Sequence, residues 1–239
     1  TCALPISGLR STKVAAASAT TFVDLKPVRV DGITLDGRPI DVDVLDRGRV
    51  PLEVGEGEHE LVVHAVMRFR NDGEGLHRSV DPADGRHYVY GMSFMDAAPS
   101  VFACFDQPDL KAGYEVTVEA PAGWAVISNM AERDVSPIGG RASWSFPPSP
   151  PFSTYLFALH AGPYAVWKSD AGGIPLRLFA RESLKRDVDH REWFEITKAG
   201  LDYFQTRFGR PYPFEKYDQI LVPEFNDGAM ENIGAVTFS

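Results

Sequence analysis

A chain of 239 residues with 44% hydrophobic and 24% charged side chains can form one large globular domain or two modest ones, and is neither disordered nor fibrous in composition. Its 24 Lys and Arg stand against 33 Asp and Glu, a net charge of −9 that argues against a grip on nucleic-acid phosphates and favours a small substrate or a basic partner. No apolar run approaches the roughly 20 residues of a membrane span, and Thr1-Cys2-Ala3-Leu4-Pro5 lacks the charged and apolar regions of a signal peptide, so no membrane partner is expected.

The first residue is Thr rather than Met, which points to a processed product or a piece of a longer chain. Cys2 and Cys104 are too few for a disulfide scaffold or a Cys-based zinc knuckle, and a reducing, cytoplasmic location is expected. Among His59, His64, His77, His87, His160 and His190 no pair has the H-x-x-x-H spacing of a helical metal site. His59 and His64 lie in a run that reads as strand, where an odd spacing sends them to opposite faces.

In chain order, residues 1 to about 180 read as mainly β. Gly and Pro make up about 16% of the chain and punctuate short alternating runs. Asp31-Gly32 and Asp36-Gly37 are turn signals, and the second leads into Ile40, Val42 and Val44 alternating with Asp41 and Asp43, a half-buried strand by pattern. Leu61, Val63, Ala65, Met67 and Phe69 keep period two, with Val62 and Val66 suggesting burial on both faces. Further strands are expected at 87–95, 114–120, 124–128, 141–146, 155–160 and 174–180, a number that favours a sandwich or saddle-like pair of sheets. Pro147-Pro148-Ser149-Pro150-Pro151 lacks amide donors and should be an extended surface connector. After about Ser183 the pattern changes. Asp189-His190-Arg191-Glu192 has the form of a capping box, and Trp193, Ile196, Leu201, Phe204 and Phe208 occupy about half a helical circumference, predicting a helix over 190–208 closed by Gly209, Pro211 and Pro213. Strands at 217–223 and 235–239 then flank an acidic loop.

That loop is Pro223-Glu224-Phe225-Asn226-Asp227-Gly228-Ala229-Met230-Glu231-Asn232. Gly228 would let an extended ligand approach closely, Ala229 keeps the approach open, and Glu231 offers a carboxylate to an ammonium group at the start of a strand. By spacing alone, a solvated acidic turn is the better account of it.

Gly228-Ala229-Met230-Glu231-Asn232 matches residue for residue the exopeptidase motif of the M1 family of zinc aminopeptidases. Cys104-Phe105-Asp106-Gln107-Pro108-Asp109-Leu110-Lys111-Ala112 and Tyr212-Pro213-Phe214-Glu215-Lys216-Tyr217 resemble further segments of that family in the same order. Gly75-Leu76-His77-Arg78 and Asp81-Pro82 resemble its actinobacterial branch. The resemblance implies a saddle-like N-terminal β domain over 1–185, lacking its first strands, and the truncated opening of a thermolysin-like α/β catalytic domain over 186–239. It implies that Glu231 binds the free α-amino group of a peptide substrate, that Gly228, Ala229, Met230 and Asn232 line the peptide backbone, and that a Zn²⁺ ion does the polarising. In the family the ligands and general base, His-Glu-x-x-His and a later Glu, follow the exopeptidase motif by a few dozen residues. This chain is therefore expected to be a fragment, with no catalytic residue or metal ligand of its own, inactive without the remainder of the catalytic domain.

Relatives of that branch often carry Gln-x-Glu after a Tyr-x-Tyr like Tyr88-Val89-Tyr90, where this chain has Met92-Ser93-Phe94. The replacement would remove a second carboxylate and make the first side-chain pocket more apolar. Cys104 reads as a buried thiol, Asp106 and Asp109 as turn-formers, His160 as a strand residue, and Glu224 and Asp227 as solvated carboxylates. A non-catalytic β module that binds a partner, a degenerate family member and an epoxide hydrolase-type relative are the alternatives.

Overall fold

The computed structural model describes residues 3–15, by their backbone only, together with 18–94 and 96–239; Cys2 lies outside them. Packing divides the chain into two compact units, one of residues 1–77, 91–112 and 152–155, the other of 78–90, 113–151 and 156–239. The protein is mainly β, with one long helix late in the chain.

The first unit holds β1 (Ala3–Ala15), β2 (Ala19–Asp24), β3 (Arg29–Leu35), β4 (Arg38–Ile40), β5 (Arg49–Val54) and β6 (Gly57–Arg68). A sheet of order β1-β6-β3-β4 and the antiparallel pair β2-β5 share one core of Val23, Leu25, Ile33, Val50, Leu52, Leu61, Val63, Ala65 and Met67. The period-two set of β6 supplies four of these, as its alternation requires. The strand expected through Ile40, Val42 and Val44 ends at Ile40, the last residue of β4. Residues Val42–Val44 turn into a short 3-10 helix, with Val42 and Val44 each 36% exposed. The side chain of Asp41 accepts a hydrogen bond from the amide of Asp43 at 3.0 Å, and this local bond takes the donor a strand ladder would need.

Cys104 is a free, buried thiol whose backbone bridges Asp24, and burial pushes its pKa far up, as a structural cysteine requires. Thr154 Oγ1 donates to Asp106 at 2.5 Å, and burial raises the pKa of that carboxyl. Met92 is buried, while Phe94 is 40% exposed and meets Tyr155 edge-on at 6.0 Å.

The chain continues through β7 (Gly75–Val80), β8 (His87–Met92), β9 (Thr117–Pro121), β10 (Ala125–Ser128), β11 (Asp134–Ile138), β12 (Arg141–Ser145), β13 (Leu159–Gly162), β14 (Ala165–Ala171) and β15 (Ile174–Ala180). Then come α1 (His190–Phe208), β16 (Tyr217–Leu221), β17 (Ala229–Met230) and β18 (Ala235–Phe238). Three sheets result, ordered β10-β13-β8-β7, β11-β12-β9 and β14-β15-β16-β18-β17. The proline-rich stretch 147–151 carries no regular structure, and Ser149 makes two bonds of 2.9 Å to the backbone of Tyr114. Its Oγ accepts from the Tyr114 amide and its own amide donates to the Tyr114 carbonyl.

In the five-stranded sheet β16 runs parallel to both β15 and β18. A strand so placed is covered on both faces. Ile220 belongs to a core with Tyr88, Tyr90, Ile127, Tyr164 and Phe179, while Tyr217 and Leu221 pack with Leu176, Leu178 and Phe194 under α1.

Helix α1 spans the predicted residues. Asp189 caps it by accepting from the amides of Arg191 and Glu192, both at 3.2 Å, and Gly209 closes it at φ 62°. Its apolar arc is wider than the sheet beneath it can cover. Phe194 is buried and Trp193 and Leu201 are half-buried, but Ile196, Tyr203, Phe204 and Phe208 are 55–70% exposed, so Ile196, Phe204 and Phe208 do not join the core their spacing predicts. Phe204 and Phe208 stack on each other at 5.8 Å instead. Trp193 Nε1 and Thr197 Oγ1 both donate to Gln219 Oε1, at 2.7 and 3.1 Å, and fix the helix to β16.

Because the cap satisfies two end amides of a helix that buries only one side chain fully, Asp189→Ala should lower stability by about 1 kcal/mol. The midpoint of denaturant unfolding measures it, and an unchanged midpoint would show that the cap contributes nothing.

Candidate functional site

The loop after β16 returns to the sheet as β17, a two-residue strand antiparallel to β18, with Ala229 opposite Phe238 and Met230 opposite Thr237. Strand β17 is last in the sheet order, so among the described residues its outer edge pairs with no other strand. Gly228 and Ala229 are exposed there, and a side chain at Gly228 would meet nothing within 4 Å. An open edge flanked by small residues can accept an extended peptide as an added strand.

Glu231 follows immediately. It is exposed and begins the turn from β17 to β18, and no described side chain bonds to it. Met230 and Asn232, its neighbours on either side, are buried at 3% and 1% exposure. The structure thus brings the five motif residues to one edge, with Gly228, Ala229 and Glu231 outward and the side chains of Met230 and Asn232 in the core. Glu224 and Asp227 are exposed loop carboxylates, and Glu224 holds a left-handed backbone at φ 50°. Phe225 anchors that part of the loop against the tyrosine-rich core. Tyr90 in that core has its pKa pushed up to about 12, first by burial and then by the charge of Glu224.

The turn carrying Glu231 is held from below by groups the sequence reading did not single out. Lys216, 3% exposed, places its Nζ 2.7 Å from the carbonyl of Gly234, 2.9 Å from that of Ser128 and 2.6 Å from Asp218 Oδ2. Burial pulls the Lys216 pKa below the ordinary lysine value, and Asp218 opposes that pull. The three acceptors decide the state, because an ammonium has three hydrogens to give and a neutral amine only two. Asp218, fully buried, takes a forked pair of bonds from Arg177 at 2.7 and 2.6 Å, and Arg177 reaches on to Glu132 at 2.7 Å. Burial works against the Arg177 charge, but the two carboxylates outweigh it and raise its pKa. Two cations thus balance two anions, as a buried cluster needs.

Neutral bonds complete the clamp. Asn129 donates to the carbonyls of Ile233 at 2.9 Å and Leu156 at 2.8 Å, and accepts from the amide of Ala158. Gly234 sits at φ 67°, where a Cβ would lie 2.4 Å from the Asn129 carbonyl oxygen, so only glycine permits this approach. Asn232 Nδ2 donates to Thr237 Oγ1 at 3.4 Å, and Thr237 Oγ1 lies 3.3 Å from His160 Nε2. His160 is a fully buried strand residue, as its flanks predict. Burial, and secondarily the Lys216 charge, pushes its pKa down to about 3.

One signal for this cluster was present in the sequence. Lys216 and Asp218 stand two apart at a strand start and so share one face, while Arg177 is a charge set between the apolar Leu176 and Leu178 and points to the face opposite theirs. Among the described residues no three His, Cys, Asp or Glu side chains converge where a metal could bind, so they do not fit a zinc site.

The family model for the peptidase M1 N-terminal domain matches residues 46–156, and that for the peptidase family M1 domain matches 192–239. An aminopeptidase N of Streptomyces lividans is 44% identical over 230 residues, covering 94% of this chain and 26% of that protein. An aminopeptidase N of the dog is 33% identical over 198 residues, 80% of this chain and 20% of the relative. A bovine glutamyl aminopeptidase is 32% identical over 193 residues, again 20% of its own length. The chain spans about a fifth to a quarter of the curated relatives it matches.

His160 is neutral in the fold but titrates near 6.5 when unfolded, so the unfolded state takes up a proton first and stability falls as pH drops below 6.5 toward about 3. Between pH 7.5 and 5.5 this one group should remove about 1.4 kcal/mol. Denaturant midpoints of the protein and of His160→Leu at the two pH values check it; the variant should lose less, and equal losses would mean that His160 is not the acid-sensitive group.

Proposed function

Because the chain belongs to peptidase family M1, we propose that it is the N-terminal part of a zinc-dependent aminopeptidase that removes N-terminal residues from peptides. Residues 1–185 form the N-terminal β domain and 186–239 open the catalytic domain. The observation that carries the reading is the placement of Glu231: an exposed carboxylate at the end of an open edge strand, on a turn that the body of the protein holds rigidly.

A peptide lying along β17 pairs its main chain with the outer edge at Ala229 and passes over the open space beside Gly228, and its terminal ammonium meets Glu231. Met230 and Asn232 line the peptide through their backbone, since their side chains are buried. The carboxylate fixes where the chain of the substrate begins and so which peptide bond lies at the hydrolytic centre. The zinc ion supplies Lewis-acid chemistry, and its ligands belong to the remainder of the catalytic domain, as does the general base. That remainder is the natural partner for the exposed apolar face of α1, where Ile196, Tyr203, Phe204 and Phe208 gather. The buried free thiol of Cys104 and the low cysteine content support a cytoplasmic location, and no described helix is long and apolar enough to cross a membrane.

A charge-assisted bond of this kind contributes about 1.5–3 kcal/mol, so Glu231→Gln in the full-length enzyme should raise KM for an amino-acid arylamide roughly 10- to 100-fold. An unchanged KM would refute the anchoring role. The isolated 239-residue chain with added zinc should release no arylamine, and turnover above that of its Glu231→Ala variant would contradict the assignment of the metal to the remainder.

A further inference from the structure

The turn between β17 and β18 is short, and several hydrogen bonds from the body of the protein hold it, among them one from a buried charge. We propose that Lys216 is a positioning residue for substrate recognition, setting the location of the Glu231 carboxylate through its bond to the Gly234 carbonyl. The inference rests on the reading of Glu231 as the amine anchor.

The geometry argues for this in three steps. First, Lys216 Nζ joins three separate pieces of backbone and side chain: the end of β10 at Ser128, the turn at Gly234, and Asp218 inside β16. Lys216 itself is 3% exposed and Asp218 is fully buried, so neither bond is diluted by solvent. Second, the same turn is held by further bonds. The Asp218 amide donates to Gly234 O at 3.1 Å, Asn129 Nδ2 donates to Ile233 O at 2.9 Å, and the Ala235 amide donates to Asn232 O at 3.1 Å. Every residue from Asn232 to Gly234 therefore has its carbonyl fixed, and Glu231 is the next residue outward. Third, the clamp leaves Glu231 alone. None of the fixing bonds goes to its side chain, which stays exposed for a ligand. A group that must hold an ammonium at a set distance from a reactive bond loses about a hundredfold in rate for a misplacement near 1 Å, so a rigid base under an open carboxylate is what the task needs.

A purely structural role predicts something different. A lysine that only holds the core together would, when removed, lower stability without changing which ligands the surviving folded molecules prefer. Amine preference separates the two.

The test measures competitive inhibition constants in the full-length enzyme for leucine amide and for its desamino counterpart, which lacks the ammonium. Lys216→Met should cut the preference for the amine about tenfold. Asp189→Ala, a distant cap variant that also lowers the unfolding temperature, should keep the wild-type preference. Glu231→Gln is run beside them and should abolish the preference. If Glu231→Gln abolishes it and Lys216→Met does not, the positioning role is wrong while the anchor stands. If Glu231→Gln leaves the preference intact, the anchor fails and the role of Lys216 falls with it. Should Lys216→Met not accumulate in folded form, Lys216→Gln keeps a shorter neutral donor and is expected to shift the preference in the same direction, with wild-type preference again counting against the proposal.

Discussion

A single ammonium group buried between three acceptors organises the part of this protein that faces a ligand. Lys216 could not be desolvated at this depth without Asp218 beside it, and Asp218 in turn could not be fully buried without the forked grip of Arg177. Such a cluster contributes little net stability compared with apolar side chains of the same volume. Its value lies in direction: the bonds have fixed geometry, so they dictate where the turn at Gly234 sits in a way that apolar packing would not. The absence of a Cβ at Gly234 belongs to the same constraint, since the turn lies against the Asn129 carbonyl at a distance no other residue tolerates.

That arrangement gives an exposed carboxylate a rigid foundation. Glu231 protrudes from the turn that follows an edge strand, while the side chains of Met230 and Asn232 on either side of it are sunk into the core. Charge on the surface and restraint beneath it are thus divided between adjacent residues of one short motif. The division follows from strand alternation, which sends Ala229 outward and Met230 inward. The turn then presents Glu231 and returns Asn232 to the interior, where Thr237 and His160 receive it.

Much of this was readable in the chain. The helix at 190–208 announced both ends, because Asp189 and Gly209 are residues whose local chemistry starts and stops helices regardless of tertiary context. The strand at 174–180 was legible from its own pattern, and the motif residues were legible as a set. What could not be read depended on partners distant in sequence. The strand drawn through Val42 and Val44 failed because a two-residue bond from Asp41 competed with a ladder, and hydrophobic alternation carries no information about that competition. The exposed side of α1 was hidden for another reason: periodicity shows that an arc is apolar but not how much of it a neighbouring sheet covers. The charge cluster was hardest, since Arg177 joins Asp218 and Lys216 only when β15 and β16 pair in parallel with Arg177 opposite Asp218.

The protonation state of Lys216 is the point on which this account turns, and nitrogen-detected NMR of lysine side-chain ammonium groups reads it directly. At neutral pH Lys216 should give a slowly exchanging ammonium signal that disappears in Lys216→Met, with couplings across its bonds to Gly234 and Asp218. A residue 216 signal that exchanges as fast as those of solvent-exposed lysines, or a neutral amine at that position, would contradict it.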